Sequence, residues 1–297
     1  MNKRFWVPFL FLFSGIISSY GQDIVFKTIK TELNRNFDVL KQQDIPAYYG
    51  FVRLDEVQAV SAVANLGKLQ SEAIINSPNR ILSSGLRIGD NKLDNSHEIR
   101  ESGWGSSPGL SVSATYIPYE ENTRLLKNNI WLLLDDLYKN GVQTYEQVKA
   151  NIAVKVEQED KSPDFSIEKV RSYYEDPIAW EDLNIDPKAL EDKVRKYSAI
   201  FDQNDDIRDG VAYLAATLSR NIFIDTEGRE MAQNAISIQL MLSANVLAND
   251  GMFLPLNKSW TAFSLKELPS DEEVLKVAKE MSTMLSALKK APVVEAF

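Results

Sequence analysis

Apolar residues at Phe26, Ile29, Leu33, Phe37 and Leu40 step by three or four, and that period predicts an amphipathic helix ending before Pro46. The period then falls to two. Aromatic and β-branched residues over Ala47 to Leu54, Val57 to Asn65 and Lys68 to Ile75 predict three strands, the last two joined by a tight hairpin at Leu66-Gly67. Arg80 to Ile88 predicts another strand closed by Gly89, and 90–109, rich in Asn, Ser, Gly and Asp, predicts a long loop. Leu126, Ile130, Leu133 and Leu137 return to helical spacing, with Gly141 placed as a helix C-terminal glycine. Thr144 and Gln147 have capping-box spacing for a further helix carrying Val148, Ile152 and Val156, and 161–182 is irregular and acidic.

In the last third, Asp186 and Pro187 predict the N-cap and first residue of a helix bearing Leu190, Val194, Tyr197 and Phe201. Val211 to Leu218 and Ile222 to Ile224 predict extended segments, followed by turn chemistry at Asp225 to Gly228. Ile236, Ile238, Leu240 and Leu242 alternate with Ser237, Gln239, Met241 and Ser243, the clearest strand pattern in the chain. Asp250-Gly251 turns it back into Met252 to Phe263. Ser270 and Glu273 form a capping box for a closing helix with Val274, Val277, Met281, Leu285 and Leu288 on one face and Lys289 and Lys290 at its end. Hairpin-linked strands and helices grouped in separate blocks predict an α+β fold: a mainly antiparallel sheet with helices packed on one face, a two-layer sandwich. Changes of pattern near 120 and 205 mark candidate subdivisions, and no 20 to 50 residue repeat is visible.

The first residues carry a different signal. Lys3 and Arg4 precede an apolar run from Phe5 to Ile17, too short to span a bilayer as a helix, and Ser19 and Gly21 are small residues at −3 and −1 of a cut before Gln22. Residues 1–21 are therefore expected to be a signal peptide, with 22–297 the exported chain, periplasmic or extracellular and not membrane-bound after cleavage. No cysteine stands at the cut for lipid attachment. Without Lys3 and Arg4, 31 basic residues face 42 acidic ones, a net charge of −11.

Composition excludes much chemistry. The chain has no cysteine and one histidine, so disulfides, thiol nucleophiles, thiolate zinc sites and iron–sulfur clusters are impossible. An acidic balance with a pI near 4.9 argues against a nucleic-acid partner. His97-Glu98 opens like an H-E-x-x-H motif, but the second ligand position is Glu101. Asp90, Asp94 and Glu98 supply oxygens without a calcium-loop spacing, and Asp205, Asp206, Asp209 and Gly210 resemble part of an EF-hand loop in which Ile207 stands where an oxygen is needed. Gly105-Ser106-Ser107-Pro108-Gly109 matches G-x-S-x-G formally, yet Pro108 has no N–H to donate to an oxyanion, and the sole histidine precedes the serine. Carboxylate pairs at Glu120 and Glu121, Asp135 and Asp136, and the run Glu157, Glu159 and Asp160 read as solvated faces, and a carboxylate-based hydrolase needs a separation that sequence does not give. Tyr48, Tyr49, Phe51 and Trp104 fit core packing or a binding surface. No catalytic, cofactor-binding or metal-ligating residue is assigned from these patterns.

Several short segments, in order and spacing, resemble the N-terminal region of the TldD/PmbA family, in particular its exported branch. They are Glu32-Leu33-Asn34-Arg35, Pro46-Ala47-Tyr48-Tyr49, Leu86-Arg87-Ile88-Gly89-Asp90 with Leu93-Asp94-Asn95, Ser162-Pro163-Asp164-Phe165-Ser166, Ile224-Asp225-Thr226-Glu227-Gly228 and Ala248-Asn249-Asp250-Gly251-Met252. The resemblance implies a two-part protein whose C-terminal region holds an H-E-x-x-x-H zinc motif in peptidase-type members, subunits that pair as homo- or heterodimers, and some subunits without metal ligands. This chain has no H-E-x-x-x-H, and Ala291 to Phe297 looks like the junction into the second region. The expectation is a non-catalytic N-terminal half of an exported metallopeptidase, contributing dimerisation and extended-peptide binding, with no cofactor of its own and zinc in the missing region. The alternative is a stand-alone exported binding module without a protease connection.

Overall fold

The computed structural model describes residues 23–99, 110–119, 123–154, 162–166 and 168–291. The expected signal peptide, Glu101, Trp104, the 105–109 segment, Glu120, Glu121, Val156, Glu157, Glu159, Asp160 and the junction beyond Ala291 lie outside these residues. Helix α1 (Ile24–Leu40) begins where the Asp23 carboxylate accepts from the Phe26 N–H at 2.9 Å. There follow β1 (Ala47–Asn65), β2 (Lys68–Ser71), β3 (Asn79–Ile88), β4 (Val112–Ile117), α2 (Arg124–Val154), the short β5 (Tyr173–Tyr174), α3 (Pro187–Ser198), β6 (Ile207–Asp225), β7 (Glu230–Leu247), β8 (Phe253–Ala262) and α4 (Asp271–Lys289). The eight strands form one sheet in the order β4-β3-β1-β6-β7-β5, with β2 on β1 and β8 on β7; every pairing but β5 with β7 is antiparallel.

All four helices pack on one face of this sheet, as expected. Side chains alternate across a strand, and most of the buried apolar members of β1 (Val52, Leu54, Val60, Ala62, Ala64), β6 (Ala212, Leu214, Ala216, Leu218, Ile222, Ile224) and β7 (Ala232, Ile238, Leu240, Leu242, Ala244, Val246) fall at even-numbered positions, with Ala47, Tyr49, Ile207 and Ala215 buried at odd ones. They form two cores. One closes under α1 and α2 around Ile29, Leu33, Ile130 and Leu134; the other closes under α3 and α4 around Leu190, Val194, Phe201, Val274 and Leu285. A row of polar side chains separates them: register places Arg80, Glu56, Arg220 and Asn234 side by side on β3, β1, β6 and β7.

That row corrects two expectations. The 47–65 stretch is one strand, not two, and 207–225 is likewise continuous; Glu56 and Arg220 interrupt the apolar pattern without interrupting the backbone. The Leu66-Gly67 hairpin is present, with φ of 48° and 76°. A third correction concerns Gly141, which lies inside α2: the helix runs on through Thr144, whose hydroxyl donates to the Asn140 carbonyl instead of capping a new helix. Gly141 serves close approach, since a Cβ there would stand 2.7 Å from Ile88 Cγ1. Strands β4 and β5 were not expected. The caps at Asp186 and at Ser270 with Glu273 are formed as predicted.

Candidate functional site

Four of the segments that carry the resemblance meet at one end of the sheet, where β1 and β3 run into the 89–99 loop. Asp94, fully buried, is the centre of this cluster. Its Oδ1 accepts from the Ser96 N–H at 2.7 Å and the Ser96 hydroxyl at 2.6 Å; its Oδ2 accepts from the Tyr48 hydroxyl and from Arg87 Nη1, both at 2.6 Å. Burial opposes the charge on Asp94, but these bonds from Ser96, Tyr48 and Arg87 outweigh it and hold the carboxyl below the usual carboxylate range. Burial pushes the Tyr48 phenol upward, and its bond to Asp94 pushes the same way, so Tyr48 stays a protonated donor.

The chain near 164 locks the loop from outside. The Asp94 N–H donates to Asp164 Oδ2 at 2.9 Å, and Asp164 Oδ1 lies 2.6 Å from His97 Nδ1. Phe165 slides beneath the Arg87 guanidinium, 4.4 Å from the ring centre, and packs against Tyr49 at 4.8 Å. Asn95 folds back on β3, its Oδ1 accepting from the Ile88 N–H at 2.8 Å. A second clasp stands beside the first: Asp225, buried, accepts from the Glu227 and Arg229 N–H groups and from Arg229 Nη1 at 2.7 Å, while Thr226 bonds the Gly50 backbone. Burial, reinforced by the charge on Asp225, pushes the Tyr49 phenol up to about 12. The Ala248 to Met252 segment is the turn between β7 and β8, at the opposite end of the sheet.

This cluster anchors loops; a nucleophile–base pair is not formed among the described residues. The Ser96 hydroxyl is occupied by Asp94 and by Arg87 Nη1 at 2.7 Å. The candidate cation ligands also part company. Asp90 binds the Lys92 and Leu93 N–H groups, Asp94 is enclosed, and Glu98 is exposed. Asp206 ties α4 through Lys289 and Ser286, whereas Asp209 bonds Asn65 and Asn245 across the sheet; Gly210 is there because a Cβ would stand 2.2 Å from the Phe201 Cβ. Among the described residues no three His, Asp or Glu side chains converge on a metal position. Asp135 pairs with Lys139 at the surface.

The second feature bearing on function is the sheet face without helices. Phe51, stacked on Phe223 at 5.3 Å, lies there beside the Arg53–Asp55 ion pair. Val57, Val112, Tyr116, Met231 and Phe253 share that face and are exposed, Tyr116 to 72%. Among the described residues no strand pairs with the outer edge of β4 or of β8. Sequence reasoning did not single out this face, although its signal, the odd-numbered partners of each buried even position, is present throughout β1, β6 and β7.

No family profile matches the chain, and no curated protein does. Among solved structures, the chain is similar to a candidate modulator of a DNA gyrase from Thermotoga maritima, at 13% identity and a TM-score of 0.49 over 86% of this chain and 47% of that one. It is similar to TldE from Thermococcus kodakarensis, at 12% identity and a TM-score of 0.49 over 86% and 46% of the two chains. It is also similar to a candidate modulator of DNA gyrase from Bacteroides thetaiotaomicron, at 10% identity and a TM-score of 0.48 over 85% and 48%. The chain thus spans about half the length of each of these proteins.

Proposed function

We propose that this chain is the non-catalytic N-terminal half of an exported TldD/PmbA-like zinc metallopeptidase, and that it contributes a subunit contact and a binding edge for extended peptides. The observation that carries this reading is the helix-free sheet face, where exposed Val57, Val112, Tyr116 and Phe253 stand between two unpaired strand edges. Exposed apolar side chains gathered on a sheet face that no helix covers mark a surface for a partner to bury. An open edge binds an extended peptide through main-chain hydrogen bonds and needs no particular side chain. The segments resembling the family support the same assignment, since those around Asp94 build the clasp that fixes the end of β1 and β3.

In this reading zinc and hydrolysis belong to a C-terminal region on the same or another chain, and the chain acts outside the cytoplasm. The test is a peptidase assay on the purified chain, alone and mixed with a zinc-bearing C-terminal region. The chain alone should be inactive with or without added zinc, and the mixture should gain chelator-sensitive activity. Chelator-insensitive hydrolysis by the chain alone overturns the assignment. Peptide binding without any effect on a zinc-bearing partner would favour a stand-alone binding module.

A further inference from the structure

The outer edge of β7 is covered by two neighbours that do not meet. Strand β5 pairs with it at Met231 and Ala232, and β8 pairs with it only from Ile238 onward. Main-chain groups along a strand address its two neighbours alternately. The Ala232 carbonyl accepts from the Glu175 N–H at 2.8 Å and the Asn234 N–H donates to the Glu175 carboxylate at 2.7 Å, so the even-numbered residues of β7 address the outer edge. The Ala235 carbonyl, which accepts from the Ser219 hydroxyl at 3.3 Å, addresses β6 instead. Ile236 is therefore the next outward residue. Among the described residues, neither its N–H and C=O nor the Asn234 carbonyl has a partner on that edge. The ladder from β5 stops at Glu175 because the Glu175 carbonyl turns away to accept from both Arg220 guanidinium nitrogens, each at 3.1 Å. The gap is a cleft of about 480 Å³, with Ile178 and Phe263 on its walls, 37% and 75% exposed.

We propose that this gap in the edge of β7 binds about three residues of an extended peptide by strand addition. The groups left open identify the ligand: a main-chain donor and two acceptors at strand spacing match another main chain, and Ile178 and Phe263 match an apolar side chain on it. One ligand residue, running parallel to β7 as β5 does, donates its N–H to the Asn234 carbonyl and accepts from the Ile236 N–H. The N–H two residues further on reaches the Ile236 carbonyl. Glu175 at one end and the start of β8 at the other limit the paired stretch to that length. The gap is separate from the outer edges of β4 and β8, so the inference stands without the subunit and zinc assignments made above.

The experiment is an NMR titration of the full ¹⁵N-labelled chain with N-acetyl-Ala-Leu-Ala amide, followed at the Ile236 backbone amide. That signal should move saturably, and its exchange with solvent should slow. Methylating the leucine nitrogen of the probe removes one donor and should weaken binding about tenfold, the worth of one hydrogen bond. Replacing the leucine by glycine should weaken it severalfold. Ile236→Pro deletes the outward N–H without removing a bond to β6, a position where a strand accepts proline, and should abolish binding. Phe263→Ser, at an exposed position, keeps the test open if the proline variant misfolds and should weaken binding severalfold with thermal stability kept. The proposal is overturned by an Ile236 signal that stays still up to the solubility limit of the probe, by equal binding of the N-methylated peptide, or by wild-type affinity in the folded variants. Peptide binding that moves only signals of β4 or of the outer edge of β8 would overturn it too, while leaving the function proposed above in place.

Discussion

The two faces of the sheet are built from the same strands and differ in what covers them. On the helix side, Val52, Leu54, Leu214, Leu240 and Leu242 are at most 1% exposed; on the other side, their immediate neighbours are Phe51, Arg53, Tyr213, Gln239 and Met241. Strand alternation assigns each residue to a face, but helices decide which face becomes core. The covered face tolerates one polar interruption, the row from Arg80 to Asn234, and meets it with ion pairs. The open face mixes serines and threonines with exposed Tyr116 and Phe253, a composition that water tolerates and a partner can bury.

The contrast is sharpest for truncations. Leu214→Ala, beneath α3, should cost about 2–5 kcal/mol through lost transfer energy and a residual cavity, read as a lowered urea midpoint. Thr217→Ala, three residues on and facing out, should stay within about 0.5 kcal/mol. Equal effects would mean that the second face is also covered. Gly210→Ala should cost about 1–3 kcal/mol, because a methyl group there collides with the Cβ of buried Phe201, which has no flexible end to move aside.

The same polar row explains what the sequence hid. Helices α1, α3 and α4, the Leu66-Gly67 hairpin and the β7–β8 turn were legible because each is encoded locally, in apolar period, caps and positive-φ residues. The breaks expected after Leu54 and Leu218 were not real, because Glu56 and Arg220 look like turn signals until register sets them beside each other. Gly141 misled for a related reason: its contact is with Ile88, more than fifty residues away. Strand β4 carried its alternation in Val112, Ala114 and Tyr116, but followed a stretch read as loop. Of the Asp94 cluster, the sequence showed Tyr48, Arg87, Asp94 and Asp164 as parts of separate segments, and only the fold joins them. The row of Arg80, Glu56, Arg220 and Asn234 carried no motif; polar residues at even positions in otherwise apolar strand patterns were the available sign.

A smaller effect tests how the covered side is held. Asp271 accepts from Lys193 at 2.5 Å, Lys196 at 2.8 Å and the Tyr197 hydroxyl at 2.6 Å, tying α3 to the start of α4. The Lys193 bond first, then those from Lys196 and Tyr197, hold its carboxyl far below the usual range. A folded pKa below the unfolded value, about 3.9, gives stability that is full above that value and lost as pH falls toward the folded one. With a third of the side chain in water, screening leaves about 1 kcal/mol. Asp271→Asn should therefore be less stable than wild type at pH 7 by about that amount, and the gap should narrow in denaturation curves taken progressively below pH 4. A gap that persists unchanged at acid pH would assign the effect to packing instead.

The smallest expected change in stability belongs to the open face, and there the informative readout is association. Tyr116→Ser and Phe253→Ser remove side chains that are more exposed than buried, so each should move the folding free energy by no more than about 0.5 kcal/mol. If the face is a contact surface, both changes should weaken association with a zinc-bearing partner region, measured by analytical ultracentrifugation, because aromatic side chains buried in an interface carry much of its energy. They should also reduce self-association of the isolated chain. A stability loss of several kcal/mol from either change would show that the face is already buried within the chain, and unchanged association would move the contact to the β4 or β8 edge, where a proline at Ser113 or Ser259 would block main-chain pairing while leaving the face intact.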